Sequence, residues 1–203
     1  MTIMHEITKL PTLLVIIGYL IMSTIGCTAQ DRAVPTGTNS TGTVHQFKVK
    51  TIDGTEKSLS DYKGRVLLIV NVASRCGYTS QYADLEALNK SHASKGLSIL
   101  GFPANNFGGQ EPGTNAEIKD FCSTKFNVTF DMFEKISVKG GDKHPLYAYL
   151  TSGGGNGDLS GEVSWNFEKF LVDKNGRIVK RFKSGVDPLS EELIQAIEQE
   201  EAK

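Results

Sequence analysis

Two nearly continuous apolar runs stand out in the pattern of hydrophobic and polar positions: residues 66–72 (VLLIVNV) and residues 97–102 (LSILGF). Runs of this kind are typical of strands that are covered on both faces. Between them, apolar residues from Tyr82 to Leu88 recur at helical spacing, and Gly96 is suited to ending that helix. A strand, a helix and a strand in this order predict a parallel pair with a right-handed crossover.

Two hairpins are predicted on either side of this unit, where turn residues interrupt short strand-like segments. The first spans residues 47–59 and turns at Asp53-Gly54, a pair that is typical of a type I′ turn. The second spans residues 170–182 and turns at Asn175-Gly176. The chain is therefore expected to combine parallel and antiparallel strand pairs.

Three further helices are predicted from capping residues and helical spacing. One runs from Asn115 to about Lys125, behind a capping box formed by Thr114 and Glu117. A short helix covers residues 145–150, and the last covers residues 190–200. With the hairpins and the strand–helix–strand unit, these helices predict an α/β fold in which helices flank a mixed central sheet.

Composition and charge narrow the function classes. The 203 residues, 39% of them hydrophobic, suffice for one domain with its own core, so we look for one active site. Twenty-two Lys and Arg residues balance 23 Asp and Glu residues, which gives a net charge of -1 without a block of like charge. These values argue against nucleic acid and anionic membrane surfaces as partners.

The N-terminal segment has the pattern of an export signal. Residues 13–22 (LLVIIGYLIM) form a compact apolar stretch that small residues follow. We therefore expect residues 1–29 to be a cleaved signal peptide or a lipoprotein signal, with an uncleaved membrane anchor as the alternative. The Gly26-Cys27 step resembles a lipobox, although Thr24 stands where leucine is usual, and it makes Cys27 the candidate for lipid attachment.

A change of composition separates this segment from the rest of the chain. Residues 30–43 are rich in Thr, Gly and Ser, which predicts a flexible linker. The folded domain is expected to span residues 44–203. With an export signal ahead of it, this domain is predicted to be exported: to the periplasm or the envelope of a bacterium, or into the secretory pathway of a eukaryote.

Cys76 is the strongest candidate for chemistry. It follows the apolar run at residues 66–72 and precedes a predicted helix, where unpaired N–H groups and the helix dipole stabilise a thiolate. Its neighbours Ser74, Arg75 and Gly77 place it at the edge of a loop, beside a cation. The alternative is a buried, inert thiol. We therefore expect Cys76 to be a nucleophile.

Several other thiol chemistries fit the spacing less well. A thioredoxin-type Cys-x-x-Cys motif would have its second cysteine where Thr79 stands. Neither Cys76, Cys122 nor the four histidines fall at the short spacings of zinc ligands. A Cys-His hydrolase stays open, because the base can be distant in sequence, and His144 is then the candidate base.

Peroxide reduction fits the remaining residues better. Cys76 and Cys122 are a candidate pair: a thiolate attacks the O–O bond and becomes a sulfenic acid, and a second thiol condenses with that acid to a disulfide. This chemistry needs hydrogen-bond donors around the thiolate and the departing oxygen. Candidate donors are Trp165, which is the one tryptophan of the chain, Asn166 and the loop of residues 105–113.

Three sequence blocks resemble the signature blocks of the glutathione peroxidase family. They are residues 71–78 (NVASRCGY), 101–113 (GFPANNFGGQEPG) and 165–173 (WNFEKFLVD), and the likeness runs from about residue 45 to the C-terminus. The resemblance implies a thioredoxin-like fold and the reduction of hydrogen peroxide and of organic or lipid hydroperoxides. Cys76 stands where the selenium branch of the family has selenocysteine, so we expect the cysteine form.

The same resemblance implies roles for single residues. Cys76 is the peroxidatic nucleophile, and Gln110, Trp165 and Asn166 complete the catalytic tetrad. Cys122 matches the resolving cysteine of thioredoxin-dependent members. Thioredoxin or a similar dithiol protein is therefore expected as the external reductant in preference to glutathione, and no bound cofactor or metal is expected.

The resemblance also bears on assembly and on conformational change. The short Gly-rich loop of residues 153–161 is similar to that of the monomeric branch, so a monomer is expected. If Cys76 and Cys122 start farther apart than the roughly 7 Å between Cα atoms that a disulfide allows, the helix around residues 115–126 must partly unwind. The alternative functions are a peroxide sensor that passes the oxidation of Cys76 to a partner protein, and an inert, envelope-anchored binding domain.

Overall fold

The structure is a computed structural model that describes residues 42–203. The predictions for the export signal at residues 1–29, for Cys27 and for linker residues 30–41 lie outside the described residues. The last two linker residues are described, and the carbonyl oxygen of Gly42 accepts a hydrogen bond from the Tyr149 hydroxyl over 2.7 Å. The end of the predicted linker is therefore attached to the folded part of the chain.

Seven strands and four α-helices form the described part of the chain. None of these helices is long and apolar enough to cross a membrane. The strands and helices are β1 Lys48–Lys50, β2 Glu56–Ser58, β3 Val66–Val72, α1 Gln81–His92, β4 Leu97–Pro103, α2 Asn115–Phe126, β5 Asp131–Met132, α3 Pro145–Thr151, β6 Lys169–Val172, β7 Ile178–Phe182 and α4 Glu191–Glu201.

Five of the strands form a central mixed sheet in the order β5-β4-β3-β6-β7. β3 pairs in parallel with β4, β4 pairs in parallel with β5, and the pairs β3–β6 and β6–β7 are antiparallel. The predicted mixed sheet, with α1 joining its central parallel pair, is confirmed.

Apolar cores on both faces of this sheet explain the unbroken hydrophobic run of β3. Leu67 and Ile69 belong to one core, together with residues of α3, and Leu68 and Val70 belong to the other, together with residues of α1, α2 and α4. Successive side chains of a strand point to opposite faces, so a strand with a core on each side has no position for a solvent-facing residue.

Both hairpins form, but the turn of the first differs from the predicted type. Residues 51–55 connect β1 to β2, and in this loop only Gly54 has a positive φ, of 83°. A type I′ turn requires positive φ at two successive residues, so that prediction is wrong. The physical reason is that Ile52 donates its N–H to the carbonyl oxygen of Met132 over 2.9 Å, which ties the loop to β5.

Capping explains where two of the helices begin. Thr114 Oγ1 accepts a hydrogen bond from the Glu117 N–H over 3.3 Å, and Glu117 Oε2 accepts one from the Thr114 N–H over 2.7 Å, which confirms the predicted capping box of α2. His144 Nδ1 accepts a hydrogen bond from the Leu146 N–H at the start of α3 over 3.2 Å. This histidine therefore caps a helix, and burial lowers its pKa.

Candidate active site

Cys76 lies in a tight turn between β3 and α1, and Thr79 closes that turn. The Cys76 N–H donates to Thr79 Oγ1 over 2.9 Å, and Thr79 Oγ1 donates to the carbonyl oxygen of Ala73 over 2.9 Å. Thr79 also donates its N–H to the carbonyl oxygen of Cys76 over 3.0 Å. The residue that occupies the second position of a Cys-x-x-Cys spacing is therefore a buried structural clamp.

The thiol of Cys76 is partly exposed and accepts a backbone hydrogen bond. The Tyr78 N–H donates to Cys76 Sγ over 3.4 Å. The sequence pattern predicts a donor from the start of the following helix. However, α1 begins only at Gln81, so the Tyr78 N–H belongs to the turn that precedes the helix. A backbone donor on the sulfur of a partly exposed cysteine is an arrangement that stabilises a thiolate.

Gln110 and Asn166 are brought together from distant parts of the chain. Asn166 Nδ2 donates a hydrogen bond to Gln110 Oε1 over 2.9 Å, and the carbonyl oxygen of Gln110 accepts one from the Arg75 N–H over 3.0 Å. The structure therefore links Gln110 both to the residue that precedes Cys76 and to Asn166. The bond to Asn166 leaves the amide protons of Gln110 for other partners.

Trp165 is exposed, which is unusual for a tryptophan of structural function. Its side chain is 38% exposed, and its ring lies 5.6 Å from that of Phe107 between centroids. Large apolar side chains that remain exposed at the surface often mark binding sites or active sites. Trp165 is therefore not a buried core residue.

Asn71 attaches the segment that contains Trp165 and Asn166 to β3, the strand that leads to Cys76. Its Nδ2 donates to the carbonyl oxygen of Trp165 over 3.0 Å, its Oδ1 accepts the N–H of Glu168 over 3.2 Å, and its carbonyl oxygen accepts the N–H of Phe167 over 2.6 Å. The sequence reasoning did not single out Asn71. A signal was present, because it is the one polar residue in the apolar run of β3.

Backbone strain accompanies this attachment. Phe167 is fully buried and has a φ of 63°, in the left-handed region that a bulky side chain avoids. Such a conformation costs on the order of 1–2 kcal/mol and persists only where surrounding contacts impose it. The strained residue directly follows the two candidate donors, a kind of position at which functional sites commonly store strain.

Cys122 is a buried, free thiol on α2. Burial raises its pKa to about 11; the nearby Tyr82 hydroxyl opposes the rise and the Glu111 carboxylate adds to it. Cys76 packs against the apolar core that contains Cys122, but no disulfide joins the two thiols. Cys122 also lines a cleft of about 360 Å³ between the β1–β2 loop, α2 and β5.

Glu111 is a second residue of this region that the sequence reasoning missed. Its side chain is fully buried, Ser74 Oγ donates to its Oε1 over 2.5 Å, and burial raises its pKa. Its N–H donates to Asn105 Oδ1 over 2.9 Å. Glu111 thereby ties the loop that carries Gln110 to the turn that carries Cys76.

Two alternative chemistries can be compared with this geometry. Within residues 42–203, no group of three or more His, Cys, Asp and Glu side chains is placed to hold a metal ion. His144, the candidate base of a Cys-His hydrolase, caps α3 by accepting the Leu146 N–H. The groups that contact the Cys76 turn are backbone amides, Thr79 and the Gln110 loop.

Comparisons with known proteins bear directly on this arrangement. The family model described as glutathione peroxidase matches residues 44–151, more than half of the chain. The chain belongs to the glutathione peroxidase family. It is therefore an enzyme of that family, which acts on peroxides, and the resemblance seen in the three sequence blocks is confirmed.

Curated relatives in this family come from bacteria and plants. The glutathione peroxidase homolog BsaA of Halalkalibacterium halodurans is 47% identical over 146 residues, 72% of this chain and 92% of that protein. The hydroperoxy fatty acid reductase gpx1 of Synechocystis sp. is 47% identical over 151 residues, 72% of this chain and 89% of the relative. Phospholipid hydroperoxide glutathione peroxidase 1 of Arabidopsis thaliana, a chloroplastic protein, is 50% identical over 147 residues, 72% of this chain and 62% of that protein.

Solved structures agree with this assignment. The crystal structure of Trgpx in its apo form matches this chain with a TM-score of 0.65 and 34% sequence identity. The match covers 80% of this chain and 97% of Trgpx. A thiol:disulfide interchange protein of the thioredoxin family from Chlorobium tepidum has a TM-score of 0.58 at 16% identity, over 78% of this chain and 95% of that one. The expected thioredoxin-like fold is thereby confirmed.

Proposed function

We propose that this glutathione peroxidase family member reduces hydrogen peroxide and organic or lipid hydroperoxides with Cys76 as nucleophile and Cys122 as resolving thiol. The observation that carries the proposal is the hydrogen-bonded arrangement around Cys76. The partly exposed Cys76 sulfur accepts a hydrogen bond from the Tyr78 N–H. Arg75, the residue before Cys76, donates its N–H to the backbone carbonyl oxygen of Gln110, and the Gln110 side chain accepts a hydrogen bond from Asn166.

In the first step, the Cys76 thiolate attacks one oxygen of the hydroperoxide. An S–O bond forms, the O–O bond breaks, and the alkoxide takes up the proton that the thiol released, so the product leaves as an alcohol or as water. Gln110, Trp165 and Asn166 supply N–H donors for the thiolate and for the negative charge that develops on the departing oxygen. Cys76 is then a sulfenic acid.

In the second step, Cys122 condenses with this sulfenic acid. Its sulfur forms the S–S bond, the S–O bond of Cys76 breaks, and the hydroxyl leaves with the proton of Cys122 as water. Cys122 is 2% exposed and burial raises its pKa to about 11, so we propose that α2 opens locally before this thiol reacts. A dithiol protein such as thioredoxin then reduces the disulfide and restores both thiols.

Lipid hydroperoxides are included because the surface beside the candidate donors is apolar. Trp165 and Tyr78 are each 38% exposed, and Phe107 packs against Trp165. Exposed aromatic side chains of this kind suit contact with an acyl chain. The names of the Synechocystis and Arabidopsis relatives, which refer to fatty acid and phospholipid hydroperoxides, support the same substrate class.

The test is NADPH-coupled peroxide reduction by the full-length chain in mild detergent. Thioredoxin with thioredoxin reductase and glutathione with glutathione reductase are compared as electron donors, with hydrogen peroxide and a fatty acid hydroperoxide as substrates. Cys76→Ser and Cys122→Ser are expected to abolish turnover with thioredoxin. Cys27→Ser is the matched control and is expected to leave turnover unchanged.

Three outcomes would contradict the proposal in different ways. Turnover with glutathione that survives Cys122→Ser would remove the resolving function of Cys122. Equal turnover with both donors would remove the preference for a dithiol protein. Absence of turnover with either donor, together with a trapped mixed disulfide between Cys76 and one partner protein, would favour the peroxide sensor.

We also propose that the chain is exported as a monomer. The apolar segment at residues 13–22 and the Gly26-Cys27 step support export, and the short Gly-rich loop of residues 153–161 supports a monomer. Mass spectrometry of the mature protein from its own host distinguishes cleavage after Ala29 from lipidation of Cys27. Sedimentation equilibrium of the processed protein at micromolar concentration is expected to give the mass of one chain.

A further inference from the structure

Glu168 is a fully buried carboxylate whose two oxygens have separate sets of donors. Oε2 accepts hydrogen bonds from the Ser164 N–H over 2.8 Å and from Ser164 Oγ over 3.0 Å. Oε1 accepts them from Arg181 Nε over 2.7 Å and from Lys183 Nζ over 2.9 Å. A single side chain directly before β6 thereby holds Ser164, four residues earlier in the chain.

These donors keep Glu168 ionised inside the protein. Burial raises its pKa, but the hydrogen bonds from Ser164, Lys183 and Arg181 together outweigh burial and hold the pKa below its usual value. A buried ion pair adds little net stability compared with apolar side chains of similar volume, because desolvating both ions is costly. We therefore look for the function of this ion pair in the backbone positions that it fixes and not in the stability that it adds.

Arg181 extends the same attachment to the preceding loop. Its Nη1 donates to the carbonyl oxygens of Leu159 and Gly161 over 3.2 and 2.7 Å, and its Nη2 donates to that of Glu162 over 2.8 Å. The guanidinium, itself buried against Glu168, thus holds three carbonyl groups of the loop that leads to Ser164.

Trp165 and Asn166 lie between two fixed points. On their N-terminal side, Ser164 is bonded to Glu168, and on their C-terminal side Asn71 holds the backbone of residues 165–168 from β3. We propose that the Glu168–Arg181 pair, acting through Ser164, positions Trp165 and Asn166 for the peroxide step. Neither member touches the reacting atoms, so both are positioning residues, and the rate effect rests on the proposed function.

The test replaces Glu168 with glutamine, which keeps the size of the side chain and removes its charge. In Glu168→Gln one oxygen is replaced by an NH2 group, which cannot accept from Ser164 or Arg181. Trp165 is the only tryptophan, so its emission reports the position of this segment without turnover. We expect emission at longer wavelength, faster acrylamide quenching and a fall of about 10-fold in the rate constant for peroxide, since small displacements of positioned groups cost this much or more.

Glu86→Gln is the matched control. Glu86 is also a buried carboxylate, and its oxygens accept hydrogen bonds from the Thr129 N–H over 2.8 Å and from Thr129 Oγ1 over 2.7 Å, the same donor pair that Ser164 offers to Glu168. It lies on α1 and has no contact with Trp165 among the hydrogen bonds of residues 42–203. We expect its emission spectrum and its rate constant to match those of the unmodified chain.

Ser164→Ala is the milder variant in case Glu168→Gln does not fold. It removes one O–H donor from an exposed residue and leaves the Glu168–Arg181 pair intact. A smaller change in emission in the same direction supports the proposal. It is overturned if Glu168→Gln and Ser164→Ala leave emission and quenching unchanged, or if Glu86→Gln changes them as much. Absence of turnover in the unmodified chain would contradict the proposed function, and the emission comparison would still decide whether Glu168 positions Trp165.

Discussion

The side-chain amide of Asn166 donates a hydrogen bond to the side-chain carbonyl oxygen of Gln110 over 2.9 Å, across 56 residues of sequence. This bond fixes which end of the Gln110 amide faces Asn166, so the NH2 end is free to act as a donor elsewhere. Two amides that each donate are suited to stabilising a thiolate and a departing oxygen without competing for a proton.

Substitution of Asn166 by aspartate tests this relationship. The carboxylate in Asn166→Asp cannot donate, and its oxygens face the carbonyl oxygen of Gln110, so the Gln110 amide loses the bond that orients it. We expect the rate constant for Cys76 with hydrogen peroxide, measured by stopped flow, to fall by roughly 100-fold, the usual cost of one such donor. Asn89→Asp is the control, because the Asn89 amide on α1 donates to Thr129 Oγ1, and it is expected to leave the rate constant unchanged. A fall of less than threefold in Asn166→Asp would contradict the donor function.

The two cysteines are expected to differ in reactivity toward alkylating agents. Burial raises the pKa of Cys122 from 9.0 to about 11, which lowers its thiolate fraction at neutral pH roughly 100-fold, and Cys76 is partly exposed. At pH 7.5, iodoacetamide should therefore label Cys76 at least 100-fold faster than Cys122. Peptide mapping by mass spectrometry measures both sites in one sample, and comparable rates would show that Cys122 is already accessible.

Oxidation is expected to loosen α2. Cys122 is buried within this helix, and its carbonyl oxygen accepts the Val128 N–H over 3.2 Å, so we expect disulfide formation with Cys76 to disturb the end of the helix. Amide hydrogen exchange at residues 115–126 should become faster after one equivalent of hydrogen peroxide. The same treatment of Cys122→Ser, in which Cys76 is oxidised but not resolved, should cause no such change. Equal exchange in the oxidised and reduced forms would mean that the disulfide forms without unwinding.

Lys169 gives the stability of the protein a defined pH dependence. This lysine is fully buried, its Nζ donates to the carbonyl oxygens of Ser184 and Val186, and burial lowers its pKa from 10.5 to about 8. Between pH 8 and 10.5 the unfolded chain therefore binds more protons than the folded chain, so the stability from this residue rises with pH.

The measurement compares the unmodified chain with Lys169→Met. The difference in their free energies of unfolding in urea should shift in favour of the unmodified chain by roughly 2 kcal/mol from pH 8 to pH 10. Taking the difference cancels the titration of groups that both proteins share. A difference that stays constant with pH would mean that Lys169 remains charged in the folded state.

Local sequence signals were sufficient for most of the fold. The apolar runs of β3 and β4, the capping box of α2 and the turn residues of both hairpins act within a few residues of one another, so a single sequence displays them. β5 was missed because its two residues are too few to show any periodicity. The predicted type I′ turn at Asp53-Gly54 was wrong because the Ile52 N–H donates a hydrogen bond to the carbonyl oxygen of Met132, about 80 residues away in sequence.

The candidate site shows the same division. Cys76, Gln110, Trp165 and Asn166 could be named because they stand in long motifs, but the connections between them run through residues far apart in sequence. The polar side chain of Asn71 within an apolar run marks its position as unusual, but nothing near it identifies its partner, the carbonyl oxygen of Trp165, 94 residues later. Side-chain contacts over such separations depend on the finished packing, which local patterns do not encode.

The Thr79 hydroxyl, which closes the Cys76 turn, determines how far from that turn the disulfide partner lies in the chain. With threonine at position 79, the turn offers no second sulfur, so under the proposed chemistry oxidised Cys76 forms its disulfide with Cys122 of α2. The two-electron oxidation of the thiols would then rearrange the protein surface around α2, whereas a Cys-x-x-Cys disulfide would close a small ring within one turn. A reductant could therefore distinguish the spent enzyme from the ready one by its shape, before any thiol is exchanged.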